Sequence, residues 1–107
     1  MSNSYIYTFI RNDLSPEQRI VQIGHACYEA GKKFKDELGI SNLILLHTAD
    51  EDDLTNAACE LDLQGLEYTI FHEPDYDTGY TAICTRPITD PKERRFFSKW
   101  ELFTHIA

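Results

Sequence analysis

Tyr5-Ile-Tyr-Thr-Phe-Ile-Arg-Asn-Asp-Leu-Ser-Pro-Glu-Gln-Arg-Ile-Val-Gln-Ile-Gly-His-Ala-Cys-Tyr-Glu-Ala-Gly-Lys-Lys-Phe34 decides the fold. Its first part, Tyr5 to Ile10, is a run of β-branched and aromatic residues and reads as a strand. Its second part opens as a helix. Ser15 is an N-cap residue, Pro16 falls at the first helical position, and Gln18 stands three residues after the cap, where its side chain reaches back to the cap's backbone. Glu17 sets negative charge at the positive end of the helix dipole. Ile20, Ile23, Cys27, Ala30 and Phe34 recur at three- and four-residue steps and predict the core face. Gln18, Gln22, His25 and Glu29 make a second, polar stripe.

A strand that passes through Arg11-Asn12-Asp13 into a capped helix carries polar groups to the strand's C-terminal edge. In open α/β sheets, ligands bind beside that edge. Arg11, Asp13, Gln22 and His25 are therefore expected around one crevice. The plainer alternative is that Asp13 shapes the turn, Arg11 is a solvated strand end and His25 is a satisfied histidine.

Downstream, Asn42 to Thr48 holds the unbroken apolar run Leu43-Ile-Leu-Leu46, which suits a strand covered on both faces. The acidic run Asp50-Glu-Asp-Asp53 reads as helix-start chemistry, because it lacks the alternating oxygens and turn glycine of a calcium loop. Leu54, Ala57, Ala58, Leu61 and Leu63 continue that helix, and Gly65 closes it. Tyr68 to Phe71 is a third strand and Tyr80 to Thr85 a fourth. Between them His72 to Gly79 reads as a turn-forming, carboxylate-rich loop with Glu73, Asp75 and Asp77. Asp90 caps a last helix from Pro91 to about Lys99 that buries Phe96, Phe97 and Trp100, and the Leu102-Phe103 tail docks on the body or on a second subunit. The order β-α-β-α-β-β-α predicts a three-layer α/β/α domain spanning 1–107. Its four-stranded mixed sheet has the last strand antiparallel to its neighbour.

Composition narrows the function classes. No apolar run approaches the roughly 20 residues of a membrane span, and Met-Ser-Asn-Ser4 leads directly into the first strand without a secretory pattern. Cys27, Cys59 and Cys84 lack metal-type spacing and read as reduced thiols, so the expected compartment is the cytoplasm. A formal net charge of −8 opposes non-specific nucleic-acid binding, which requires cations to displace counterions. Local basic clusters remain at Lys32, Lys33 and Lys35 and at Lys92, Arg94 and Arg95. The chain has no phosphate-binding glycine loop, nucleophile elbow, zinc motif or dinucleotide fingerprint. What the residues offer is His25 or a loop carboxylate as general base, with Thr81 or Gln22 as a hydrogen-bond donor.

Arg11-Asn-Asp-Leu14 followed by Gln22-x-x-His25-Ala26 resembles the opening of the type II peptidyl-tRNA hydrolases. Phe71-x-Glu-Pro-Asp75 followed by Thr81-Ala-Ile83 resembles the short-loop bacterial and phage branch of that family. The resemblance covers nearly the whole chain. It implies the same sheet and an esterase that cleaves peptide from the terminal ribose of tRNA. It also implies no metal or organic cofactor and, since members are commonly dimers, a homodimer; the lack of a long apolar run is what argues against a membrane partner. By position it nominates His25, Glu73, Asp75 and Thr81 as catalytic, and Arg11, Asp13, Gln18, Arg19 and Gln22 as substrate-binding. The family carries a lysine before its first helix. Here Gln18 stands closest to that place, with Arg19 adjacent, and arginine is no simple replacement for lysine. That departure keeps a second expectation open, a non-catalytic relative that binds a small ligand or protein partner in the same crevice.

Overall fold

A computed structural model describes residues 4–35 and 41–102. Strand β1 (Tyr5–Arg11) leads into helix α1 (Pro16–Lys33), then β2 (Asn42–Thr48), α2 (Glu51–Leu63), β3 (Tyr68–Glu73) and β4 (Gly79–Thr85). A short 3-10 turn at Asp75–Asp77 links β3 to β4, and α3 (Pro91–Phe96) runs on into a 3-10 turn at Phe97–Lys99. The sheet has four strands in the order β2-β1-β4-β3. Strand β1 pairs in parallel with β2 and antiparallel with β4, and β4 is antiparallel to β3. The expected α/β class, with its mixed sheet and antiparallel last strand, is what the chain adopts. With β1 and β4 both central, the C-terminal end of β1 lies beside the start of β4.

Alternation along β1 divides the core. Tyr7 and Phe9 face α2 and the C-terminal turns, packing with Leu46, Leu54, Leu61, Ile83, Ile88 and Phe97. Ile10 faces the other way, with Leu14, Ala26, Ala30, Ala82 and Cys84 under α1. On the first face Tyr7 and Phe97 stack with ring centroids 3.8 Å apart. Trp100 meets Phe9 edge-on.

Helix α1 begins as its sequence requires. The Ser15 hydroxyl accepts from Gln18 N at 3.2 Å, and Gln18 Oε1 accepts from Ser15 N at 3.1 Å. Asp50 caps α2 by accepting from Asp53 N at 2.9 Å, and Asp53 accepts in turn from Ala49 N. Helix α2 ends at a left-handed Gly65, with Leu66 N donating to Leu61 O and Gly65 N to Asp62 O, the Schellman pattern of paired closing bonds. Asp90 caps α3 through Lys92 N.

Four sequence expectations need correction. Ile20 is 61% exposed, so the stripe that meets the sheet is Arg19, Gln22, Ala26 and Ala30, with Ile23, Cys27 and Phe34 flanking it. Small alanines let the helix approach, and the two polar members are buried because each finds hydrogen-bond partners. Leu63 is 84% exposed and does not continue the buried face of α2. Strands β3 and β4 extend further than expected, so only 74–78 connect them, and α3 gives way to a 3-10 turn at Phe97. Glu101 O accepts from His47 N at 3.0 Å and Leu102 bridges to Leu46, so this part of the tail lies along the outer edge of β2. Gly39 and Phe103 lie outside the described residues. Among the described residues no helix is long and apolar enough to cross a membrane.

Candidate functional site

The C-terminal end of β1, the first turns of α1 and the β3–β4 connection meet at one rim of the sheet. Between them lies a cleft of about 140 Å³ lined by Leu14, Gln18, Gln22, Glu73, Asp75, Tyr76 and Thr78.

A chain of hydrogen bonds forms its floor. Thr81, fully buried on β4, donates through Oγ1 to Gln22 Oε1 at 2.8 Å. Gln22 Nε2 donates to Glu73 Oε2 at 3.0 Å. Glu73 Oε1 accepts from Asp75 N at 3.2 Å. The order of donors is fixed by charge. An ionised carboxylate only accepts, so Gln22 must present its NH₂ end to Glu73 and its carbonyl to Thr81. These bonds hold the Glu73 carboxyl below its ordinary value, the Gln22 amide first and the Asp75 backbone N–H next, with a smaller contribution from nearby His25. Glu73 is therefore a carboxylate at neutral pH, suited to holding charge more than to taking a proton.

His25 is exposed on α1 and lies flat on Phe71 of β3, with ring centroids 4.4 Å apart and planes 2° from parallel. That stacking fixes the plane of the imidazole beside Glu73. Gln18 lines the cleft with its Oε1 already held by Ser15 N, so its NH₂ is the end it can offer a ligand.

A second knot closes the rim. Arg11 Nε and Nη2 grip Asp13 as a bidentate pair at 2.9 and 2.8 Å. Its Nη1 donates to Thr78 O at 2.6 Å and Tyr80 O at 3.0 Å. The arginine thus ties the end of β1 to the start of β4 and holds the Asp13 carboxyl below its usual range, against the smaller opposing cost of burial. Arg19, only 6% exposed, donates from Nε to Leu14 O at 2.9 Å. Glu51, from the start of α2, accepts from Tyr80 N at 2.7 Å and braces the connection from the far side.

A scan against protein-family models finds no match for this chain, and a search of the curated proteins finds none either. The site stands on its own geometry and on the resemblance of its motifs.

Of the nominated residues, Gln18, Gln22, Glu73 and Asp75 line one cleft, Thr81 orients Gln22 from beneath, and His25 flanks Glu73. Arg11 and Asp13 brace the rim, and Arg19 is directed into the turn before α1. Three of the local basic groups are engaged elsewhere. Lys32 pairs with Glu29, Lys33 donates to Tyr68 O, and Arg94 lies over the Tyr5 ring. Sequence reasoning missed Leu14, Tyr76 and Thr78 as lining residues and Glu51 as a brace. Glu51 is one of several acids at a helix start, and nothing in that run marks which of them reaches across. Tyr76 and the adjacent Asp77 both take left-handed backbone, with φ 57° and 58°. Such geometry favours glycine, asparagine or aspartate, so Asp77 suits its place, but nothing in the sequence announces a left-handed tyrosine.

Proposed function

We propose that this cleft binds and hydrolyses an acyl ester of the peptidyl-tRNA type. The observation that carries the reading is the Thr81–Gln22–Glu73 chain beside His25, built from the residues that the family resemblance nominates. Water attacks the ester carbonyl while His25 takes its proton. Glu73, kept ionised by Gln22 and the Asp75 backbone, places a negative charge beside His25. The Gln18 NH₂ donates to the oxygen on which negative charge develops, in the place where the family has its lysine. The tetrahedral intermediate then collapses. Its ribose oxygen leaves with the proton from His25, giving a free carboxylic acid and a free hydroxyl. Every step uses side chains of this chain alone.

Purified protein mixed with peptidyl-tRNA in dilute salt should release peptide. His25→Ala and Glu73→Ala should remove most of that activity with the fold intact by circular dichroism. Release no greater than a buffer blank, alongside an active hydrolase control, would end this reading.

One observation favours a second reading, a non-catalytic binder of a small ligand or protein. Arg11 and Arg19, the cations nearest the cleft, are held by Asp13, by backbone carbonyls and by Leu14 O, and the chain carries a net charge of −8. Phosphate contacts dominate affinity for nucleic acid. An esterase on tRNA should bind its substrate with affinity that falls steeply as salt rises. The binder should show no tRNA affinity at any salt concentration.

The resemblance also carries a homodimer, and the reduced-thiol reading of the cysteines carries a cytoplasmic setting. Ile20, Val21 and Tyr28, exposed on α1, are the apolar side chains we assign to self-association. Sedimentation velocity should give a dimer that Ile20→Asp converts to monomer, and a monomeric wild-type chain at high concentration would contradict it.

A further inference from the structure

On the α1 face of the sheet, away from the cleft, two cysteines share one hydroxyl. Thr8 Oγ1 lies 3.7 Å from Cys27 Sγ and 3.6 Å from Cys84 Sγ. Thr8 and Cys84 are direct cross-strand partners in β1 and β4, and Cys27 comes down on them from α1. Both sulfurs also line a single apolar cleft of about 100 Å³, walled by Ile6, Ala30, Phe34 and Pro87. Cys27 is half-buried there, whereas Cys84 is 1% exposed.

We propose that Cys27 and Cys84 form an oxidisable dithiol that closes to a disulfide pinning α1 to β4 when a hydroperoxide enters this cleft. The two thiols have unequal parts. The neighbouring Cys84 thiol, with help from the Thr8 hydroxyl, pulls the Cys27 pKa down to about 6, and the Cys84 value is raised by Cys27 and by burial. Cys27 is the sulfur nearer to solvent, where a peroxide reaches it first, and the direction of its shift favours the thiolate, the form that attacks. Cys84 is the resolving thiol.

The chemistry balances. The Cys27 thiolate attacks one peroxide oxygen, the O–O bond breaks, and the products are a sulfenic acid and hydroxide. Cys84 gives up its proton and its sulfur attacks the sulfenic sulfur, breaking the S–O bond and releasing the oxygen as water. Overall, two thiols and one hydrogen peroxide become one disulfide and two waters. A thiol reductant reverses the closure.

Cys59, exposed on α2, supplies an internal reference in the same molecule. Intact protein is treated with hydrogen peroxide at neutral pH, unfolded, alkylated with N-ethylmaleimide and digested. We expect Cys27 to react about tenfold faster than Cys59, because its shift runs toward the thiolate. The Cys27 and Cys84 peptides should appear joined, with a mass two hydrogens below their sum, and Cys59 alkylated. In Cys84→Ser the Cys27 sulfenic acid should persist and be trapped by dimedone. In Cys27→Ser, Cys84 should remain reduced. Cys27 reacting no faster than Cys59 in the wild-type chain would overturn the proposal. So would a Cys27 that ends as sulfenic or sulfinic acid with Cys84 still alkylated.

Discussion

Thr81 Oγ1 donates to Gln22 Oε1 at 2.8 Å, and this bond anchors the carbonyl end of the amide whose NH₂ end meets Glu73. Both residues are buried, so neither atom has water as an easy substitute. Thr81→Val keeps the shape and removes the donor. It should cost about 2 kcal/mol, the usual penalty for a buried acceptor left unpaired. Thr81→Ser keeps the hydroxyl and should cost about half as much. The more specific readout is Glu73. With the carbonyl end of Gln22 no longer anchored, its bond to Glu73 loosens, and an NMR titration should show the Glu73 carboxyl moving up toward its ordinary value in Thr81→Val and staying low in Thr81→Ser.

A Cβ added to Gly79 would fall 2.0 Å from Glu51 Oε2, at a residue whose φ is +80°. Gly79→Ala therefore meets two costs. Left-handed backbone is strained by about 1–2 kcal/mol for an L-residue. The Glu51 carboxylate must also swing away and release Tyr80 N. A loss of about 2–3 kcal/mol is expected in denaturant unfolding. Glu51→Ala alone should cost about 1 kcal/mol or less, because the freed Tyr80 N–H is near solvent. The double variant should be more stable than the sum of the two predicts, since the clash is counted only once.

The Arg11–Asp13 pair gives stability a defined dependence on pH. Its carboxyl is held below the value of an unfolded aspartate, chiefly by the Arg11 hydrogen bond. The folded state therefore favours the ionised form. That contribution is fully present above the ordinary aspartate pKa of about 3.9 and fades as pH falls through the lower folded-state value. Asp13→Asn should be less stable than wild type by about 1 kcal/mol near neutrality, a figure discounted because the Asp13 side chain is partly open to water. The difference should shrink toward zero once pH falls below the folded-state value. An equal gap between the two proteins at every pH would mean that the pair acts through shape alone.

The elements that rest on local chemistry were legible in the sequence. Ser15, Pro16 and Gln18 start α1, Asp50 starts α2, Gly65 ends it, and the β-branched runs form strands. The buried face of α1 was not. Periodicity scores Ile20 as core and Arg19 and Gln22 as surface, because it counts side chains without knowing their partners. Here Gln22 is paid for by Thr81 and Glu73, and Arg19 by Leu14 O, so both go inside while Ile20 stays out. For the same reason the polar stripe on α1 identified the cleft but did not distinguish its members. Gln22 forms the floor, Gln18 lines the cleft, His25 flanks it, and Glu29 only pairs with Lys32. The β2-β1-β4-β3 order, which brings the acidic connection against the helix start, comes from long-range pairing that no local pattern encodes.

Tyr76 sets stability against function in a way that a single substitution can expose. Its side chain is 96% exposed while its backbone is held left-handed at φ 57°. A tyrosine in that conformation gains nothing from burial and carries strain of about 1–2 kcal/mol that glycine would escape. Glycine also loses more conformational entropy on folding, which offsets part of the gain. Tyr76→Gly should thus raise stability by about 0.5–1 kcal/mol, or several degrees in Tm for a domain of this size. The same ring stands over a cleft lined by Gln18, Glu73 and Asp75. If the cleft takes the 3′ end of a tRNA, an exposed aromatic at its mouth is a platform for stacking a base, worth about 1–3 kcal/mol. Tyr76→Gly should then weaken binding of peptidyl-tRNA by about tenfold or more while Tyr76→Phe keeps it. A glycine variant that is more stable and binds tRNA as well as wild type would remove Tyr76 from the site and leave its strained backbone as a feature of the turn.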